Sequence, residues 1–232
     1  MKAQRLRFRY RLTPAGLDLR HRDIVNAWES AAREAGLEVS HSTGKRPAAQ
    51  ISLAAPLPQG ATSGCEIIDV YLESRVDPAD ALARIAGKFP PGIEPFEAGE
   101  VGVGAPSVQA NLRWAEYEVE APAGDRSEDD VRRAIEGLLS SPTIPAEYRR
   151  EAKVRAYDLR PLVLDIRLLG RTGDSVRLSM TLRAEQDNTA RADQVVLALG
   201  LPEPVRVHRK KLGVEEVPAV VIAYRRAGEW GN

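Results

Sequence analysis

Residues 5–12 read RLRFRYRL, with arginine at every odd position and Leu6, Phe8, Tyr10 and Leu12 at the even ones. Successive side chains of a β-strand point to opposite faces, so this run specifies a strand with one apolar and one basic face. The apolar face needs a covering layer, and the next segment supplies it. Residues 21–35 set Ile24, Ala27, Trp28, Ala31 and Ala35 on one helical stripe, with Gly36 placed to end the helix. Two more strands are expected at 49–55 and 66–73, parted by a Pro/Gly-rich connection. Asp77-Pro78 then reads as an N-cap with proline in the first turn, Leu82, Ile85 and Phe89 as a buried stripe, and Pro90-Pro91 as a stop. Residues 93–101 form a weak last strand. The order β-α-β-β-α-β is the split βαβ pattern of ferredoxin-like domains.

The order then repeats. Residues 112–120 alternate, Ser127 to Asp130 opens a helix like a capping box, and Val131, Ile135, Leu138 and Leu139 follow on one face. A hairpin is expected from 162–169 and 175–184, a short helix at 191–199 and a closing strand at 205–212. The expected fold class is α+β: two tandem ferredoxin-like (βαββαβ) halves with antiparallel sheets, residues 1–104 and 105–232. The glycines of 99–106 mark a hinge; a phosphate cradle would need a helix start directly after them. Residues 147–160 are an extra segment, an added edge strand or a bridge between halves. In the C-terminal tail, 217–223 is apolar enough to dock and 225–232 is expected to fray.

Composition narrows the chemistry. Thirty-three basic residues balance thirty-three acidic ones, so global charge gives no drive toward nucleic acid or anionic membranes. Cys65 is the single cysteine, which rules out an internal disulfide and a thiolate cage; before Ile67-Ile68 it reads as a small buried hydrophobe. His21, His41 and His208 show no i, i+4 pairing, so no metal site is expected. No GxSxG elbow occurs, and no catalytic residue or cofactor is assigned. With no signal core and no run of about 18 apolar residues, the chain is expected to be cytoplasmic and off the membrane.

The open sheet faces carry the binding candidates. In the first half strand one turns Arg5, Arg7, Arg9 and Arg11 outward, against Ile67, Asp69, Tyr71 and Glu73 on strand three. In the second half the signs reverse, with Glu116, Glu118 and Glu120 facing Arg177, Ser179, Thr181 and Arg183. Cross-strand ion pairs on solvated or domain-facing sheets explain both ladders. An anion-binding face on the first half is the sharper reading, centred on Arg7 and Arg9 and extended by Arg20, Arg22, Lys45 and Arg46. Phe8 and Tyr10 should face the core, so base stacking is not expected there, whereas phosphate contacts are. His21 and Asp23, at the first helix start, are either a polarised pair or a cap.

Residues 16–60 resemble a bacterial family of radical SAM-linked proteins, the DUF2344 family. Its first helix opens like S-H-L-D-L-M-R-A, matched by Arg20-His21-Arg22-Asp23-Ile24-Val25-Asn26-Ala27, and ends A-G-L, here Ala35-Gly36-Leu37. The family's Y-S-Q-G-F-N-P-H-P-x-I-S keeps Gly44, Pro47, Ile51 and Ser52, but Lys45-Arg46 and Ala48-Ala49 replace its F-N and H-P. A P-L-P-x-G turn follows at Pro56 to Gly60, and Asp158-Leu159-Arg160-Pro161 looks like its D-I-R-P. The resemblance implies a radical SAM partner that carries the iron–sulfur cluster, since its CxxxCxxC ligands cannot come from one cysteine. It thus implies a non-catalytic accessory or substrate-presenting protein, with RNA as a candidate substrate and Arg160 as a candidate binding residue. An independent RNA-binding module and a stand-alone enzyme using His21 and Asp23 are the alternatives.

Overall fold

The computed structural model describes residues 2–150, 153–215 and 225–226. They fall into two compact units, one of the described residues up to Leu112 with Val214, Glu215, Arg225 and Arg226, and one of those within Arg113–Gly213. The expected docking tail at 217–223 lies outside the described residues, as does most of 225–232.

The first unit runs β1 (Gln4–Leu12), α1 (His21–Glu34), β2 (Ile51–Leu53), β3 (Ala61–Leu72), α2 (Pro78–Ile85), β4 (Ile93–Val101) and α3 (Val108–Asn111). Its strands lie side by side as β2-β3-β1-β4, every pair antiparallel. The register sets Arg7 opposite Asp69, Phe8 opposite Ile68 and Tyr10 opposite Glu66. β2 is shorter than the expected strand at 49–55: Gln50 pairs its N–H with the Ser40 carbonyl, and after Ala54, whose N–H still reaches the Ile67 carbonyl, the chain turns toward Pro56.

Parity decides the core. Leu6, Phe8, Tyr10 and Leu12 are buried beneath α1, whose Ile24, Trp28, Ala31 and Ala32 form the opposing stripe. Trp28 sits 5.1 Å from the Phe8 ring, 5.4 Å from Tyr10 and 4.7 Å from Phe89, in tilted and edge-on contacts that suit aromatic quadrupoles. Gly36 ends the helix at φ 65°, the left-handed conformation its position requires. Cys65 is half-buried beside Ser63 instead of sealed in the core.

The second unit contains β5 (Leu112–Pro122), α4 (Glu128–Ser140), β6 (Pro145–Arg150), β7 (Lys153–Asp158), β8 (Val163–Thr172), β9 (Ser175–Glu185), β10 (Asn188–Thr189), α5 (Ala192–Ala198) and β11 (Arg206–Val214). Its sheet order is β8-β9-β5-β11, with β10 also on β9. Among the described residues, the extra segment at 147–160 is not an added edge strand of the larger sheet. β6 and β7 pair with each other as a separate antiparallel hairpin. A two-residue strand, β12 (Arg225–Arg226), pairs with β4.

The Gly-rich stretch is also more engaged than a free hinge. Gly99 and Val101 belong to β4, and Arg5 donates from Nη1 to the Ala105 carbonyl at 2.8 Å and from Nη2 to that of Pro106 at 3.1 Å. Ser107 then caps α3, which packs on β2 and β3. The first unit therefore continues to residue 112.

Candidate functional site

The basic face of β1 is not an open anion-binding surface. Arg5 is fully buried and Arg7 is 5% exposed, because residues 105–109 fold back over that side of the sheet. Both guanidiniums converge on Asp69, itself fully buried: Arg5 Nε reaches Oδ2 at 3.1 Å, and Arg7 reaches Oδ1 at 2.7 Å and Oδ2 at 3.0 Å. A buried charge must be paired and hydrogen-bonded, and here one carboxylate and two backbone carbonyls supply that need. Arg9 is half-buried, 3.7 Å from Glu97, and only Arg11 is exposed. Tyr71 lies under Lys2, whose Nζ is 4.1 Å from the ring centroid.

Arg160 is likewise committed to structure. Its Nε and Nη2 donate to the Leu139 carbonyl at 3.1 and 2.8 Å near the end of α4, and Nη1 donates to the Val163 carbonyl at 2.8 Å. Its neighbour Asp158 accepts the Ile144 and Arg160 backbone N–H groups at 2.7 and 3.0 Å. The Asp158 to Pro161 motif is a clamp that fixes the hairpin against α4.

The start of α1 gathers the rest. Asp23 Oδ2 accepts the Arg20 backbone N–H at 2.9 Å, so this carboxylate caps the helix start. His21 is exposed and lines a small crevice with Tyr10, Leu19, Leu57, Pro58 and Glu66, with room for about one water, ≈10 Å³. Gly60 N–H donates to the Leu17 carbonyl at 3.3 Å, joining the Pro56 to Gly60 turn to the helix entry. The block 16–60 is thus local in space as well as in sequence.

Glu66 is the residue that sequence reading missed. It is 2% exposed and faces the core side beside Tyr10. The signal was present: if Ile67, Asp69 and Tyr71 turn outward, Glu66 must turn inward, and an inward carboxylate asks for an explanation.

Lys45 and Arg46 are exposed in the loop after β-bridge residue His41. His41 Nε2 lies 3.7 Å from Glu29 of α1. Arg22 stands seven residues before Glu29, so both occupy one side of the helix, about 10 Å apart along its axis. Arg20 and Arg22 are exposed too. The loop that carries Lys45 and Arg46 thus starts beside α1, at the His41–Glu29 contact.

A family model described as "Uncharacterized protein conserved in bacteria (DUF2344)" matches residues 5–192. The chain belongs to the DUF2344 family. No curated protein matches the sequence. Among solved structures, this DUF2344 chain is similar to a chain of a Cbf5-Nop10-Gar1 complex, with TM-score 0.51 and 17% identity over 89% of this chain and 49% of that one. It is also similar to a chain of an archaeal box H/ACA sRNP Nop10-Cbf5 complex, with TM-score 0.47, 14% identity and coverage of 93% and 50%. The first likeness shows a mixed α+β fold. The DUF2344 chain spans about half the length of the solved chains it matches. Among the described residues no helix is long and apolar enough to cross a membrane, and no three potential ligands cluster for a metal.

Proposed function

We propose that this chain is an RNA-binding accessory protein that presents its ligand to a separate radical SAM enzyme. The observation that carries the RNA part is the exposed group Arg20, Arg22, Lys45 and Arg46 around α1. Of the acids beside it, Asp23 accepts the Arg20 amide and Glu29 lies 3.7 Å from His41, while Asp18 is exposed. Basic groups on a neutral chain act locally, holding phosphates in register without a global field. The radical SAM partner follows from the family resemblance alone. The shared strand order of the two units, β2-β3-β1-β4 and β8-β9-β5-β11, supports the tandem ferredoxin-like reading. We place the boundary between those domains within 99–112.

The stand-alone enzyme loses one of its two residues to the helix cap. The independent module remains, moved from the β1 face to the α1 surface. The test is binding of a single-stranded oligoribonucleotide by anisotropy. Charge reversal at Arg22 and Lys45 should weaken it at least tenfold, while Arg11→Glu on the β1 face should change it little. Affinity unmoved by the first pair would overturn the assignment. Co-purification of a tagged chain with a radical SAM enzyme tests the partner, and its repeated absence would remove that half of the proposal.

A further inference from the structure

A cleft of about 550 Å³ opens in the second unit between the stem of the β6–β7 hairpin and α5. Pro145 and Leu159 form its hairpin wall, and Leu197 and Ala198 its helix wall, with Glu147, Arg191 and Gln194 as polar groups. Both walls are fixed. Leu159 N–H donates to the Ile144 carbonyl at 2.8 Å, beside the Asp158 clamp, and Arg126 Nη1 holds the Leu199 carbonyl at the far end of α5 at 2.9 Å. Arg191 is oriented by Asp193 through a two-pronged contact, Nε to Oδ1 at 3.0 Å and Nη2 to Oδ2 at 2.8 Å. Leu197 is 43% exposed, an apolar side chain presented at the cleft.

We propose that this cleft receives an unstacked nucleobase from single-stranded RNA. It lies within the roughly 300–1,000 Å³ range of small-ligand sites. A base has two apolar faces and a hydrogen-bonding edge. The leucine and proline walls suit the faces, and the Gln194 amide, a donor and an acceptor in one plane, suits the edge. Arg191, held by Asp193, sets a fixed guanidinium at the rim of the same cleft. Burial pushes the phenol of Tyr157 up, aided by Asp193 and opposed by Arg191.

The inference rests on the RNA reading above but uses a different surface, so the two can fail separately.

The experiment uses the full chain and an oligoribonucleotide with one central 2-aminopurine, which brightens when it leaves the stack. Binding should brighten the probe several-fold. Ala198→Trp, which fills the cleft, should abolish the brightening and weaken binding about tenfold, the scale of one lost base stack. Gln194→Leu, a milder change, should lower both in part. Thermal unfolding of each variant checks that it folds. Brightening unaffected by both variants, or binding without brightening, overturns the cleft proposal and leaves the α1 reading intact. Binding lost in the cleft variants but indifferent to Arg22 and Lys45 overturns the α1 reading alone. AMP or UMP binding as tightly as the oligonucleotide would overturn RNA as the occupant, and no binding of any probe would overturn both.

Discussion

Asp69 holds two buried guanidiniums, that of Arg5 sealed from water and that of Arg7 nearly so. Removing it leaves a doubly positive pair inside the protein, so Asp69→Ala should cost about 3–5 kcal/mol of stability, read from urea unfolding. Replacing all three groups by apolar ones (Arg5→Met, Arg7→Leu, Asp69→Leu) should cost less than Asp69→Ala, because no charge is left buried and the remaining loss is that of the Arg5 donors to the Ala105 and Pro106 carbonyls. A large loss in the triple variant would show that the cluster stabilises the fold through more than its own pairing. His208 offers a pH test. Burial lowers its pKa, Arg206 and Lys210 lower it further, and Glu118 opposes them. A depressed histidine leaves stability untouched well above 6.5 and removes some as pH falls below that value, where the unfolded chain takes up the proton first. His208→Gln should flatten the melting temperature between about pH 6.5 and 5, and an unchanged slope would discount the residue.

At the scale of elements, arginines from elsewhere close three helix C-termini. Arg84 donates to the Ala35 and Gly36 carbonyls after α1, Arg160 to Leu139 in α4, and Arg126 to Leu199 after α5. Each answers the unpaired carbonyls and the negative end of the helix dipole. Arg160→Ala should therefore destabilise by about 1.5–3 kcal/mol, with Arg160→Lys recovering only part, since one ammonium cannot span Leu139 and Val163 as the fork does. Equal stability of the three proteins would contradict the clamp. The helices themselves were legible from stripes and caps: Ser127 and Asp130 form the capping box that their spacing announces. Ser127 also holds the Asp130 carboxyl below the usual range. Their closing arginines were not legible, because each comes from a distant part of the chain and nothing local distinguishes it from a surface cation.

For the molecule as a whole, alternation revealed both sheets and the core side of β1, yet it could not say whether the opposite side was covered. That depended on residues 105–109 returning over β1 and β3, a contact a hundred residues from Arg5. The same limit moved the candidate site from Arg7 and Arg9 to the α1 surface, and hid Glu66 until its parity was taken seriously. With charge balanced overall and four exposed cations around α1, oligonucleotide affinity should fall with salt at a log–log slope near −3, about 0.7 per phosphate neutralised. A slope of −6 or steeper would mean that further cations also meet the strand.

The burial of Arg5, Arg7 and Arg209 has a practical corollary. Guanidinium groups stay charged at any pH a protein survives, so their shelter from solvent is a matter of folding alone. Reagents that attack arginine in water should pass over these three in the intact protein and label them once the sheets open. Mass mapping of that labelling would follow unfolding at named positions, with no added dye or tag.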